Sequence, residues 1–326
     1  MKKFLIIALI FLVIASCSQT SSPGGADMTE TGEPIAKVTE TPKPTTEPTA
    51  EPTPEPTVDP TSLYFRPTQQ IVHDLFYIED GNSLHRLDLY LPVAETSEQT
   101  FPIIVLFHAG GVGKWQMSGL ALKLVEMGFS VVSVDFWHKP PTKYKDSACA
   151  VGWVYENAED YGFDLEHIYL LGQSAGGAIA AFLGTVDDFE PYTASCPSSI
   201  PEEVSFKGVI IYTAVFDYTA IGEDENSRLF DYVVEHMGVD YATGSDFWWE
   251  MSPIAYVDGT ESEFVLFHGE RDRTITQSQS NNFAAALENV GVKVTLNIID
   301  GADHYGLLGS VPAFRLLTEY LLESIQ

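Results

Sequence analysis

The sequence predicts an α/β architecture: a mostly parallel sheet of about eight strands covered by helices on both faces. Two observations carry that prediction. Short β-rich runs recur along residues 71–300, most of them nearly continuous in apolar residues, which is the composition of strands buried on both faces. Helical stretches alternate with these runs, as a parallel sheet with crossover connections demands. At 326 residues and 45% hydrophobic content the chain can fill one large domain. The apolar segments place that domain at residues 62–326.

The elements follow in order. "IVHDLFYI" and "LHRLDLYL" read as two strands joined near Gly81-Asn82, a hairpin signal. Further strands are expected at "PIIVLFH" (102–108), "FSVVSVDF" (129–136), "HIYLLGQ" (167–173), "KGVIIYTA" (207–214), "EFVLFHG" (263–269) and "VKVTLNIID" (292–300). Helices are expected at about 115–127, 146–160, 175–184, 276–290 and 311–325. Residues 216–258 interrupt the alternation: they hold no clear strand but contain Phe230, Tyr232, Phe247, Trp248, Trp249 and Tyr256. This excursion has two readings, a lid-like cover over a site or simple packing.

The N-terminus has a different composition. "MKKFLIIALIFLVIASC" sets two lysines before an apolar run of about 13 residues, short of the ~20 that span a bilayer. Small residues and Cys17 follow, so residues 1–17 read as an export signal, and the ending resembles a bacterial lipoprotein signal whose cysteine is lipidated. Residues 18–61 are rich in Thr, Pro and Glu, with too few large apolar side chains to build a core. They are expected to form a tether that, if extended at ~3.1 Å per residue, reaches on the order of 100 Å. The domain is therefore expected outside the cytoplasm, at the cell surface, with membrane attachment through the lipid alone.

The formal charge of −29 argues against nucleic acid as a partner, because a phosphate backbone requires Lys and Arg to neutralise it. It equally disfavours docking on an anionic membrane by charge. Once Cys17 is assigned to the signal, Cys149 and Cys196 remain, and their spacing leaves open whether they pair.

In an open parallel sheet, ligands bind beyond the carboxyl ends of the strands. Ser174 stands there, in "LLGQSAGGAIA", directly after a strand and at the start of a helix. A serine on such a strained turn needs small residues two positions before and after it, and Gly172 and Gly176 occupy them. The helix N-terminus adds free amides and a positive dipole end. A serine hydroxyl is a weak nucleophile at neutral pH, so a base must take its proton and a carboxylate must orient that base. His304, in "DGADHYG" just beyond the last strand, is the candidate base; His268 is read as structural, and the glycines after His108 suggest another role for that histidine. Asp272, in "HGERD", is the candidate acid, with Asp217 and Asp258 as runners-up. The turn "HAGGVG" after the third strand supplies Gly110 and Gly111 as oxyanion donors, and the amide of Ala175 completes the group.

Taken together, "LDLYLP", "HAGG", "GQSAGG", "SPIAYV", "HGERD" and "GADH" resemble the α/β-hydrolase fold, specifically the bacterial carboxylesterase branch with hormone-sensitive-lipase-like and feruloyl-esterase-like enzymes. The resemblance runs from about residue 70 to the end. It departs from the family's HGGG at Ala109 alone. It implies a serine esterase with the chain order Ser174, Asp272, His304, acting without metal or organic cofactor on small-molecule or polysaccharide-linked esters of short acyl, acetyl or feruloyl type. A peptidase or amidase of the same fold and a ligand-binding lipoprotein without chemistry are the rival readings. Trp115, Phe136, Trp137, Trp248 and Trp249 are candidates for lining a substrate pocket, with core packing as the alternative.

Overall fold

The computed structural model describes residues 69–326 apart from 202–203 and 225–226. The expected signal at 1–17, Cys17, the tether at 18–61 and the first residues of the domain lie outside the described residues. All eight expected strands are present: β1 (Gln69–Phe76), β2 (Arg86–Pro92), β3 (Phe101–Phe107), β4 (Ser130–Val134), β5 (Phe163–Gln173), β6 (Gly208–Tyr212), β7 (Phe264–Gly269) and β8 (Val294–Ile299). They form one sheet in the order β1-β2-β4-β3-β5-β6-β7-β8. β2 runs antiparallel to both β1 and β4, and every other pairing is parallel.

Helices connect and cover the strands: α1 (Ser118–Glu126), α2 (Thr142–Glu156), the one-turn α3 (Ala158–Tyr161), α4 (Ala175–Leu183), the short α5 (Glu190–Thr193) and α6 (Thr219–Gly222), then α7 (Phe230–Met237), α8 (Tyr241–Glu250), α9 (Gln277–Asn289) and α10 (Val311–Ser324). Strand residues alternate between the two faces. Val105, Phe107, Leu170, Ile211 and Leu266 pack with Tyr144 of α2, Ala178 and Phe182 of α4 and Phe283 of α9. Ile104, Leu106, Leu171, Ile210 and Val265 pack on the opposite face with Leu124 of α1 and Leu317 and Leu321 of α10. Two buried faces explain why the runs read as continuously apolar, and each fully buried aliphatic side chain contributes ~1.5–3 kcal/mol.

The helix expected to start at residue 146 starts at Thr142 instead. Pro141 precedes it with φ −80°, already near the helical value, and its carbonyl accepts from the amides of Tyr144 and Lys145. That early start puts Lys143 and Tyr144 in the first turn of α2. The excursion at 216–258 carries α6, α7 and α8 and, among its described residues, no strand.

The order of connections reverses between β3 and β5. From β3 the chain crosses to β4 on one side, and from β4 it returns to β5 on the other. Such a reversal opens a crevice at the strands' carboxyl ends. Phe107 pairs with Gly172 there, so the turn after β3 and the turn after β5 lie side by side.

Candidate active site

Ser174 stands between the last residue of β5 and the first of α4 with φ 55° and ψ −116°, a conformation that L-residues rarely adopt. The surrounding structure enforces it. Its amide donates to the carbonyls of Tyr212 at 3.1 Å and Thr213 at 2.8 Å, both at the end of β6. The bend also explains the two glycines. A Cβ on Gly172 would overlap the carbonyl of Gly176, and a Cβ on Gly176 would overlap the carbonyls of Phe107 and His108.

The three residues picked out as a triad meet. His304, between β8 and α10, approaches Ser174 Oγ with Nε2 at 3.1 Å and Asp272 Oδ2 with Nδ1 at 2.8 Å. Asp272 follows β7, and its side chain is fully buried. Its other oxygen accepts from the amides of Thr274 at 2.8 Å and Ile275 at 2.9 Å. Burial pushes the pKa of this carboxyl up, but the hydrogen bonds from His304, Ile275 and Thr274 outweigh it and hold the group below its ordinary value. It is therefore ionised at neutral pH.

The other candidates have different roles. Asp217 caps the turn into α6, accepting from the amides of Thr219 and Ala220. Asp258 accepts from Thr260 in an exposed turn. His268 is buried and bonds Ser280 Oγ at 2.8 Å. His108 is buried, stacks on Phe136 at 4.2 Å and donates from Nδ1 to the carbonyl of Ala109 at 2.7 Å. It steadies the turn after β3, as does Asp135, which accepts from the amide of Lys114.

A cavity of about 350 Å³ opens beside Ser174 and His304, lined also by Gly110 and Ala175. Ala175 and the two residues after it are the first of α4, whose amides have no intrahelical partner. Gly110 sits against this helix start: a Cβ there would lie 3.4 Å from that of Ala175 and 2.5 Å from Tyr232 Oη. Gly111 takes a left-handed φ of 78° to turn the chain, but unlike Gly110 it does not line the cavity. The amide of Ala109 is engaged by Gln116 Oε1 at 2.8 Å, leaving Gly110 and Ala175 as the expected donors that border the cavity.

Two glutamines that the sequence reading did not single out tie this assembly together. Gln116 Nε2 donates to Gln173 Oε1 at 2.7 Å, and Gln173 Nε2 donates to the carbonyl of His304 at 3.0 Å. With the bond to Ala109, the pair links the turn after β3, the serine bend and the histidine loop. Gln173 stands between Gly172 and Ser174, a place where nothing in the local sequence marks it as a connector.

The rest of the cavity departs from expectation in its aromatics. None of Trp115, Phe136, Trp137, Trp248 or Trp249 lines it. Phe136 and Trp248 are core residues, while Trp115, Trp137 and Trp249 face solvent. Tyr218, Tyr232 and Tyr305 line it instead, with Val233 and Met237 of α7. The excursion thus supplies one wall of the cavity. Its polar side chains include Lys143 from α2 and His236 from α7.

A family model described as BD-FAE matches residues 87–287, from β2 into α9. The chain belongs to the BD-FAE family. Among individual proteins, it is 29% identical over 229 residues to esterase LipQ of Mycobacterium tuberculosis, covering 66% of this chain and 53% of that protein. It is 26% identical over 272 residues to kynurenine formamidase of Danio rerio, covering 80% of this chain and 84% of that protein. The chain spans about half the length of the mycobacterial esterases it matches, LipQ, LipM and LipC. Among solved structures, a truncated carbohydrate esterase from gut microbiota superposes with a TM-score of 0.67 at 22% identity, covering 78% of this chain and 96% of that one. That likeness establishes the α/β-hydrolase fold expected from the sequence.

Proposed function

We propose that the protein hydrolyses carboxylic esters through an acyl-serine intermediate. The observation that carries this reading is the unbroken hydrogen-bonded row Ser174, His304, Asp272 opening on a cavity. Ser174 Oγ attacks the ester carbonyl carbon as His304 Nε2 takes the hydroxyl proton. Asp272, kept ionised, stabilises the resulting imidazolium and holds its tautomer. Negative charge developing on the carbonyl oxygen is met by amides at Gly110, Gly111 and Ala175; one such donor is worth ~10²–10³ in kcat. Collapse of the tetrahedral species breaks the carbon–alkoxide bond, and His304 returns its proton to the leaving oxygen. Water, deprotonated by the same histidine, then attacks the acyl-serine and releases the acid. The mechanism draws on side chains and amides alone.

Relatives named as esterases, together with a carbohydrate esterase of the same fold, support small-molecule or polysaccharide-linked esters as substrates. Amide hydrolysis is the second reading, favoured by the similarity to a formamidase across most of that enzyme's length. For location, we propose an exported lipoprotein anchored through Cys17. The lipobox-like "IASC" supports it, as does the Cys149–Cys196 disulfide, a bond that persists in oxidising compartments. The full chain should release p-nitrophenol from short acyl esters faster than p-nitroaniline from the matching anilides. Ser174→Ala should abolish both activities while the circular dichroism spectrum is kept. Retention of most of the rate in that variant would overturn the assignment of the nucleophile, and a binding protein without chemistry would show no turnover in either form.

A further inference from the structure

The cavity beside Ser174 has a charge character opposite to that of the chain around it. The sequence carries 46 Asp and Glu against 17 Lys and Arg, yet no Asp or Glu lines the cavity among the described residues. Its lining holds Lys143, Arg228, His138 and His236 in addition to His304. Lys143 is the unusual member. It is 4% exposed, and the ion pairs of the described residues give it no carboxylate. Its Nζ donates to Tyr218 Oη at 2.8 Å and lies over the rings of Tyr144 at 4.6 Å and Tyr218 at 5.0 Å.

An ammonium buried without a counter-ion is costly, and proteins ordinarily supply a paired carboxylate. Here aromatic faces and one phenol oxygen are the compensation. Burial pushes the Lys143 amine down to about 7, so it titrates near neutrality. His236 shares the setting: burial lowers it, and the positive charge of Lys143 lowers it further, although its bond to the Tyr232 carbonyl opposes both. His138 is lowered first by burial and then by its imidazole neighbours His108 and His236. A negative charge brought into the cavity would favour the charged form of all three groups at once.

We infer that the cavity selects esters carrying a second, anionic group, a carboxylate on the part of the substrate seated there, and that Lys143 binds it. This rests on the proposed ester hydrolysis and names its substrate class. The ester carbonyl sits at Ser174 between the amides, while the carboxylate reaches the Nζ of Lys143, whose remaining hydrogens are not used by Tyr218. A lysine serves as a compact donor with three hydrogens, and hydrogen bonds to charged partners in a dry site are the strong ones. Lys143 is on this reading a specificity residue, remote from the bond that breaks.

The test compares matched esters with and without a terminal carboxylate, on the full chain. For the acyl side the pair is 4-nitrophenyl hemiadipate and 4-nitrophenyl hexanoate; for the alcohol side it is the acetate of 6-hydroxyhexanoate and hexyl acetate, followed by pH-stat. In the wild type at least one pair should show a kcat/KM ratio of anionic to neutral ester of tenfold or more. Lys143→Met and Lys143→Gln should bring that ratio to near one, and Lys143→Arg should keep most of it. A ratio near or below one in both wild-type pairs overturns the inference, whether or not the variants fold. So does a preference that survives Lys143→Met. Absence of hydrolysis of every ester would sink the esterase reading instead, and the anion site is then tested by calorimetry on the wild type. Monomethyl adipate should bind at least tenfold more tightly than dimethyl adipate, and equal affinities overturn it.

Discussion

Replacing Cys149 and Cys196 together by alanine is expected to remove much of the stability of this domain without dismantling the site. The disulfide joins residues separated by 47 positions, and the loop-entropy relation for a closure of that length gives ~4 kcal/mol at 25 °C. Cys149 lies inside α2, on the same helix as Lys143, and is 2% exposed. Cys196 follows α5, and the bond therefore ties α2, which packs on the helix behind Ser174, to the segment leading towards β6. The assay is urea unfolding followed by tryptophan fluorescence. With an m-value of about 3 kcal/mol/M, a loss of ~4 kcal/mol lowers the midpoint by about 1.3 M. Dithiothreitol on the wild type should produce a similar shift with no change in side-chain volume, separating the cross-link from the small cavity that the alanines leave. Midpoints that agree within about 0.3 M with and without the bond would refute the chain-entropy reasoning, and two extra thiols titrating in the oxidised, denatured wild type would refute the bond itself.

Asp272→Asn should lower kcat/KM by up to ~10⁴-fold, because an amide cannot stabilise the imidazolium and favours the wrong tautomer, whereas Asp217→Asn and Asp258→Asn should change it little; ester kinetics on the three variants decide this, and a crippled Asp217 or Asp258 variant would reverse the assignment. Gly176→Ala should lower stability and activity together, since its Cβ meets the backbone carbonyls of Phe107 and His108 rather than a movable side chain; a variant with wild-type kinetics and thermal midpoint would count against the rigid bend. Gln173→Leu leaves the Gln116 amide and the His304 carbonyl without their partner, a penalty of ~1–3 kcal/mol for each buried group left unpaired. It should reduce kcat more than it raises KM, because it loosens the groups that must align in the transition state, and a change confined to KM would show that the glutamine acts on binding alone.

Much of this molecule is legible in one dimension. The strand runs are continuous because both faces of β3 to β7 are buried, and burial of that kind leaves its mark in each segment separately. The glycines at 172 and 176 are equally local, since the close approaches they permit follow from the bend at Ser174. Chain order then placed Asp272 and His304 after the last two strands, where the carboxyl ends of a parallel sheet converge, and the two side chains do meet the serine. The fold class and the reacting constellation were therefore readable before any contact was known.

What surrounds that constellation was decided by contacts between distant segments. Trp115, Trp137 and Trp249 are as apolar as pocket residues, but the direction of each side chain depends on the helix or loop that carries it, and they turned to solvent. Cys149 and Cys196 pair because α2 lies beside the segment after α5. Gln116 and Gln173 are 57 residues apart, and only the adjacency of β3 and β5 makes them hydrogen-bonded neighbours. Lys143 carries no motif at all. Its burial in the cavity follows from the early start of α2 and from α7 closing the opposite wall, and an amine acquires that environment only when the whole chain has packed around it.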